Sequence, residues 1–202
     1  MSQKRVPAIF MRGGSSKGVF FHSSDLPEDK NSWDELFLSV LGSPDPYGRQ
    51  LNGMGGGISS LSKAVVISPP TRLDADVDYT FAQISVKDSV VDYSSNCGNL
   101  SSAVGPFAID TGLVDASGIK KEVRIHNTNS GKLIVSKVPL RDGLSEVVGD
   151  FSIPGVSGTG AKVQLDFLDP GGTRTGSLLP TGNTVDIITL ANAGDFEVSL
   201  VD

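Results

Sequence analysis

A cysteine at the head of an apolar helical pattern and a lysine entering an apolar strand are the two residues of this chain best suited to moving protons. Cys97 stands in Ser94-Ser95-Asn96-Cys97-Gly98-Asn99, just before apolar residues spaced at Leu100, Ala103, Val104, Phe107 and Ala108. Unpaired backbone N–H groups and the helix dipole at such a start favour a thiolate or a bound carboxylate. The plainer reading is a small buried cysteine with no chemistry. Lys63 ends Gly55-Gly56-Gly57-Ile58-Ser59-Ser60-Leu61-Ser62-Lys63 and leads into the apolar run Ala64 to Ile67. Desolvation there lowers a lysine pKa and lets the neutral amine act as a base, whereas an ordinary surface lysine does nothing of the kind. Gly55, Gly56 and Gly57 could turn backbone N–H groups toward a developing oxyanion, or simply form a flexible loop.

Met11-Arg12-Gly13-Gly14-Ser15-Ser16-Lys17-Gly18 brings two cations, two hydroxyls and three glycines together after the first strand pattern. Arg12, Ser15, Ser16 and Lys17 are suited to holding carboxylates by charge-assisted hydrogen bonds. The segment lacks the Gly-x-x-x-x-Gly-Lys-Ser/Thr order of a phosphate loop, and Gly53-Met54-Gly55-Gly56-Gly57 lacks the preceding strand of a dinucleotide fingerprint, so nucleotide binding is rejected. His22 and His126 have no cysteine or acidic residues spaced around them as ligands, so no metal site is expected. Asp74, Asp76 and Asp78 alternate as on a solvated strand face.

Short strands are expected to position these residues: Ala8 to Met11, Val19 to Phe21, Ala64 to Ile67, Asp78 to Val86, Glu122 to His126, Leu133 to Val138, Val147 to Ile153, Val163 to Phe167, Val185 to Leu190 and Phe196 to Val201. Two helices interrupt them. The first spans Ser32 to Leu41, with Ser32 and Glu35 as a capping box and Gly42 as the stop. The second begins near Cys97. It has no charged face before Asp110 and so should be surrounded by protein, and Pro106 should bend or break it after Gly105.

Composition narrows the function. Glycine supplies 24 of 202 residues, about 12% against a typical 7%, and it clusters where turns or close backbone approaches are needed. A net charge of −6 with no basic run argues against nucleic acid. The single cysteine excludes a disulfide framework within the chain and fits a reducing compartment. No stretch approaches the roughly 18 apolar residues of a membrane span and no apolar signal core follows the start, so a cytoplasmic protein without membrane contact is expected.

Taken in order, Met11 to Gly18, Gly53 to Gly57 through Ser62-Lys63, Asn96-Cys97-Gly98-Asn99 and Val104-Gly105-Pro106-Phe107-Ala108-Ile109 resemble the PrpF-like family of methylaconitate, methylitaconate and oxalomesaconate isomerases. Asn127 to Lys132, Gly158 to Ala161 and Leu179 to Asn183 extend the resemblance over nearly the whole chain. It implies an α+β, diaminopimelate epimerase-like fold: antiparallel β-structure wrapped around a central helix, with the active site between two such domains. Residues 1–184 would form the amino-terminal domain and 185–202 the start of the crossover to a second. Family members are about twice this length, so the chain resembles an amino-terminal half, inactive by itself or nearly so.

By the same resemblance Lys63 and Cys97 are the catalytic pair. From the residues themselves, Arg12, Ser15, Ser16, Lys17 and Gly55 to Gly57 are the candidates for binding a small polycarboxylate, with Ser59, Ser60, Gly98 and Asn99 as weaker ones. The implied reaction is a cofactor-independent shift of a double bond by allylic proton transfer, with no metal, nicotinamide, flavin or pyridoxal phosphate. The alternatives are an epimerase or racemase of the same fold and a non-catalytic carboxylate-binding half-domain. A homodimer is the expected assembly.

Overall fold

The computed structural model describes residues 3–202, so the first two residues of the expected domain lie outside the description. Strands β1 (Ile9–Gly13), β2 (Ser16–His22), β3 (Lys63–Ser68), β4 (Val77–Ile84), β5 (Val91–Asp92), β6 (Lys120–Asn127), β7 (Lys132–Arg141), β8 (Leu144–Ser145) and β9 (Gln164–Leu168) build one sheet. Its main order is β1-β2-β3-β4-β6-β7, with β5 on β4 and both β8 and β9 on β7. The β2–β3 and β4–β6 joints are parallel and the rest antiparallel. The expected α+β arrangement is present, but its sheet is mixed.

Strand β3 explains the apolar run that the sequence shows. Val65 and Ile67 pack with Phe20, Tyr79, Phe81, Leu100, Val104 and Phe107 in one core, while Ala64 and Val66 pack with Val19, Phe21, Trp33, Phe37 and Leu41 in another. Both faces are covered, so the strand carries no polar alternation. The covering elements are the helical segment α2 (Gly98–Ser101) and α3 (Val104–Asp110) on the first face, and α1 (Trp33–Leu41) on the second.

Three local expectations need correction. Ser32 does not cap α1: it lies in helical backbone at the end of a 3₁₀ turn, Lys30–Ser32, that runs into the helix. Asp29 caps that turn instead, accepting the Asn31 N–H at 3.0 Å. Gly42 stops α1 as expected, in left-handed backbone at φ 76°. Pro106 does not break the central helix; the interruption falls earlier, at Ser102-Ala103, and Pro106 occupies the first turn of α3. A first-turn residue has no intrahelical acceptor for its N–H, so proline costs little there.

Val147 to Ile153 is no strand. Only an isolated bridge joins Phe151 to Gly160, and Val147 and Val148 are exposed, with no core to hold a regular ladder against. Beyond β9, strands β10 (Asp186–Leu190) and β11 (Gly194–Val198) pair only with each other. No helix among the described residues is long and apolar enough to cross a membrane.

Candidate active site

The inward faces of β2, β3 and β4 and the start of α2 meet at one end of the sheet. Lys63, first residue of β3, points the same way as Val65 and Ile67 because side chains alternate along a strand. Its side chain is buried, with Nζ 5.0 Å from the Phe81 ring centroid and donating to Gln83 Oε1 at 2.6 Å. Burial pushes the Lys63 ammonium below the usual lysine range, while attraction and a hydrogen bond to Cys97 partly offset it. Lys63 and Cys97, separated by more than thirty positions in sequence, are therefore neighbours.

Cys97 caps the short turn α2, its Sγ accepting the Leu100 N–H at 3.4 Å and lying 3.8 Å from Ser16 Oγ. Gly98 and Asn99 are exposed, and their N–H groups, first in the turn, have no carbonyl within it to reach. Tyr79 lies beneath. Its hydroxyl is buried without a hydrogen-bond partner among the described residues, and burial pushes its pKa far up, so it stays a neutral phenol beside Cys97 and Ser101.

The first glycine-rich motif acts through packing. A Cβ on Gly13 would stand 2.7 Å from Asn99 O, on Gly14 2.4 Å from Asn99 Oδ1, and on Gly18 2.9 Å from Lys63 O. These glycines let the β1–β2 hairpin close onto the turn that carries Cys97. Ser16 is buried beside the thiol, whereas Ser15 is exposed. Arg12 and Lys17 face each other across the hairpin register, both exposed, with Arg12 Nη1 donating to Gly14 O at 2.7 Å. Alternation puts them on the face opposite Ser16 and Gly18, and Arg12 lines a surface pocket together with Gly14, Gly98 and Asn99.

The second glycine motif also differs from expectation. Gly55 N–H donates to Leu41 O at 3.1 Å and Gly57 N–H to Gln50 Oε1 at 2.9 Å, so neither is free for an oxyanion. The segment instead packs on the end of α1, where a Cβ on Gly53 would stand 2.2 Å from Gly42 N. Ser60 lies in the 3₁₀ turn Ser59–Leu61 just before Lys63, and Ser59 contributes through its carbonyl, which accepts from Gln83 Nε2 at 3.1 Å.

Residue types had pointed away from Gln50 and Gln83. Gln50 is buried and joins Ser43, Gly57 and Ser62 through one amide. Neither glutamine carries a sequence signal; only the β3–β4 register, Lys63 opposite Gln83, could have found the second. Asp78 also departs from the solvated face expected of it. It is buried, accepting from Thr71 Oγ1 at 2.7 Å and lying 2.9 Å from His126 Nδ1.

A curled mixed sheet around a helical segment, with a buried lysine and a thiol at its end, is an epimerase-like fold. A hydroxyproline epimerase from Agrobacterium vitis shares that fold, at a TM-score of 0.55 with 12% identity, over 94% of this chain and 46% of its own. Residues 3–202 match the family model described as PrpF protein, and the chain belongs to the PrpF family. It is 50% identical to 3-methylitaconate isomerase of Eubacterium barkeri over 99% of this chain and 52% of that protein. Against 2-methyl-aconitate isomerase of Cupriavidus necator it is 47% identical, over 99% of this chain and 53% of that one. The crystal structure of a methylitaconate-delta-isomerase superposes at a TM-score of 0.86 with 50% identity, covering 99% of this chain and 51% of its own. The chain thus spans about half the length of these relatives, and the matches do not bear out the expected inactivity of the chain by itself.

Proposed function

We propose that this chain carries the proton-transfer groups of a cofactor-independent isomerase that shifts a double bond in a small unsaturated di- or tricarboxylate. The observation that carries the reading is the buried lysine of lowered pKa beside the thiol. Neutral Lys63 removes a C–H proton made acidic by conjugation through the double bond to a carboxylate or oxo group. The electron pair moves into a dienolate, and the Gly98 and Asn99 N–H groups at the start of α2, next to Cys97, are the donors proposed for its oxygen. A proton returns at the other end of the three-carbon unit, from Cys97 or from the lysine itself, and the double bond has moved.

The named activities of the relatives, on methylitaconate and methylaconitate, support this substrate class. The single thiol fits a reducing, cytoplasmic setting, and the proposed assembly is a homodimer. The test is incubation with aconitate, methylaconitate or oxalomesaconate in deuterated water. Deuterium should enter an allylic carbon without added metal or nicotinamide, and exchange that requires either would sink the reading.

A further inference from the structure

Gln83 belongs to no chemical motif, yet it is the residue that holds the Lys63 amine. The two stand directly opposite in the β3–β4 register, with Lys63 Nζ donating to Gln83 Oε1 at 2.6 Å. The far end of the amide is committed: Nε2 donates to Ser62 O at 2.9 Å and Ser59 O at 3.1 Å. Two carbonyls demand the NH₂ group, so the amide cannot turn over and Oε1 must face the lysine. Those carbonyls are fixed in turn: Ser62 O also accepts the Ile84 N–H at 3.0 Å and Ser59 O the Ser62 N–H at 3.4 Å, while the single Ser62 hydroxyl proton is shared between Gln50 Oε1 at 2.6 Å and Ile58 O at 2.9 Å. A chain of side chains thus runs from the buried Gln50 to Nζ.

The chemistry of the acceptor matters as much as its place. The titratable group that interacts with Lys63 is Cys97, from the start of α2, with the buried neutral Tyr79 on the far side of the thiol; Phe81 lies beside the lysine and Ser16 beside the thiol, both without charge. A carboxylate at position 83 would pair with the ammonium and keep its proton on. An amide oxygen aims the nitrogen without adding charge, so the proton remains free to leave. We propose that Gln83 is a positioning residue for Lys63, holding Nζ beside Cys97 while keeping the amine able to exchange its proton. The inference rests on the Lys63–Cys97 reading above and extends it to a residue that touches no substrate.

Cys97 is the only cysteine of the chain, so its alkylation by iodoacetamide against pH reports the thiolate fraction without requiring turnover. Gln83→Glu, nearly the same size, should move the alkylation midpoint up by about one pH unit, because a carboxylate draws off the ammonium and repels the thiolate. Gln83→Lys, whose amine can still donate to the Ser59 and Ser62 carbonyls, should move it down. Gln83→Asn, one methylene short, should lower saturating deuterium exchange into aconitate about tenfold with little change in KM, since the transfer depends on where Nζ is held. Circular dichroism identifies which variants are folded, and either charged variant decides alone if the other is not. A folded charged variant whose alkylation profile superimposes on wild type, or an unchanged exchange rate in Gln83→Asn, overturns the assignment. If the wild-type chain exchanges no deuterium either, that counts against the double-bond shift, and the alkylation midpoints alone then decide the role of Gln83.

Discussion

Removing either member of the Lys63–Cys97 pair should separate their roles. Lys63→Ala leaves Gln83 Oε1 and Cys97 without the nitrogen that joins them, and exchange should fall by about 10²–10⁴, the usual contribution of a positioned acid or base. Cys97→Ser keeps a hydroxyl that can still meet Ser16 and the Leu100 N–H, so partial activity is expected if the thiol chiefly orients substrate. Wild-type exchange rates in Lys63→Ala would remove the lysine from the mechanism. Both residues were legible because a lone cysteine before an apolar helical spacing and a lysine before an apolar run are unusual in type and place. Gln83 and Gln50 were not legible. An amide acquires meaning only from the partner that the strand register sets opposite it, and register is not written in residue type. Arg12 and Lys17 show the complementary limit: charge suggests a ligand, while the hairpin register that sets them opposite each other on the exposed face is not written in residue type.

At the scale of elements, what positions Cys97 is how closely α2 and α3 approach the sheet. Gly105 sits where a Cβ would stand 2.6 Å from Ser136 Oγ and 2.8 Å from Val138 Cγ2. Gly105→Ala must push α3 away from β7 or force both side chains to shift, although alanine is intrinsically the better helix former. The clash should dominate, with a loss of about 1–3 kcal/mol typical of overpacking, measured as a lower urea midpoint at unchanged slope. Unchanged or greater stability would show that α3 has room to spare. The central helix was readable from the spacing of Leu100, Val104 and Phe107, all of which reach the core. Its break was misplaced because proline is disruptive in a helix interior but not in a first turn, and the sequence does not announce that α3 restarts at Val104. Val147 to Ile153 was misread because alternation describes a candidate strand, whereas a real one needs a face to bury and these residues have none.

The whole molecule tolerates at its sheet end a group that an uninterrupted core would not contain. Lys63 is buried with its ammonium disfavoured, and for lysine that means a folded-state pKa below the unfolded value of 10.5. Below the folded pKa both states hold the proton, and the native state carries the full penalty of a buried cation. Between the two values the unfolded chain binds more protons than the folded one, so stability rises with pH through that window, and above 10.5 the penalty is gone. Lys63→Met keeps the apolar stem and removes the titration. Wild type should therefore gain stability relative to Lys63→Met as pH is raised from neutral toward 10.5, whatever the constant difference left by the unpaired Gln83 oxygen. The coupled thiol opposes the shift, so the same pair of proteins in a Cys97→Ser background should show a larger gain. Urea midpoints at several pH values between 7 and 10.5 measure it, and the Cys97→Ser pair isolates the lysine, because the thiol coupled to Lys63 is then absent and the remaining alkaline groups are common to both proteins. Curves that run parallel across this range would mean that Lys63 titrates as it does in the unfolded chain, and the neutral amine required for proton abstraction near pH 7 would lose its physical basis.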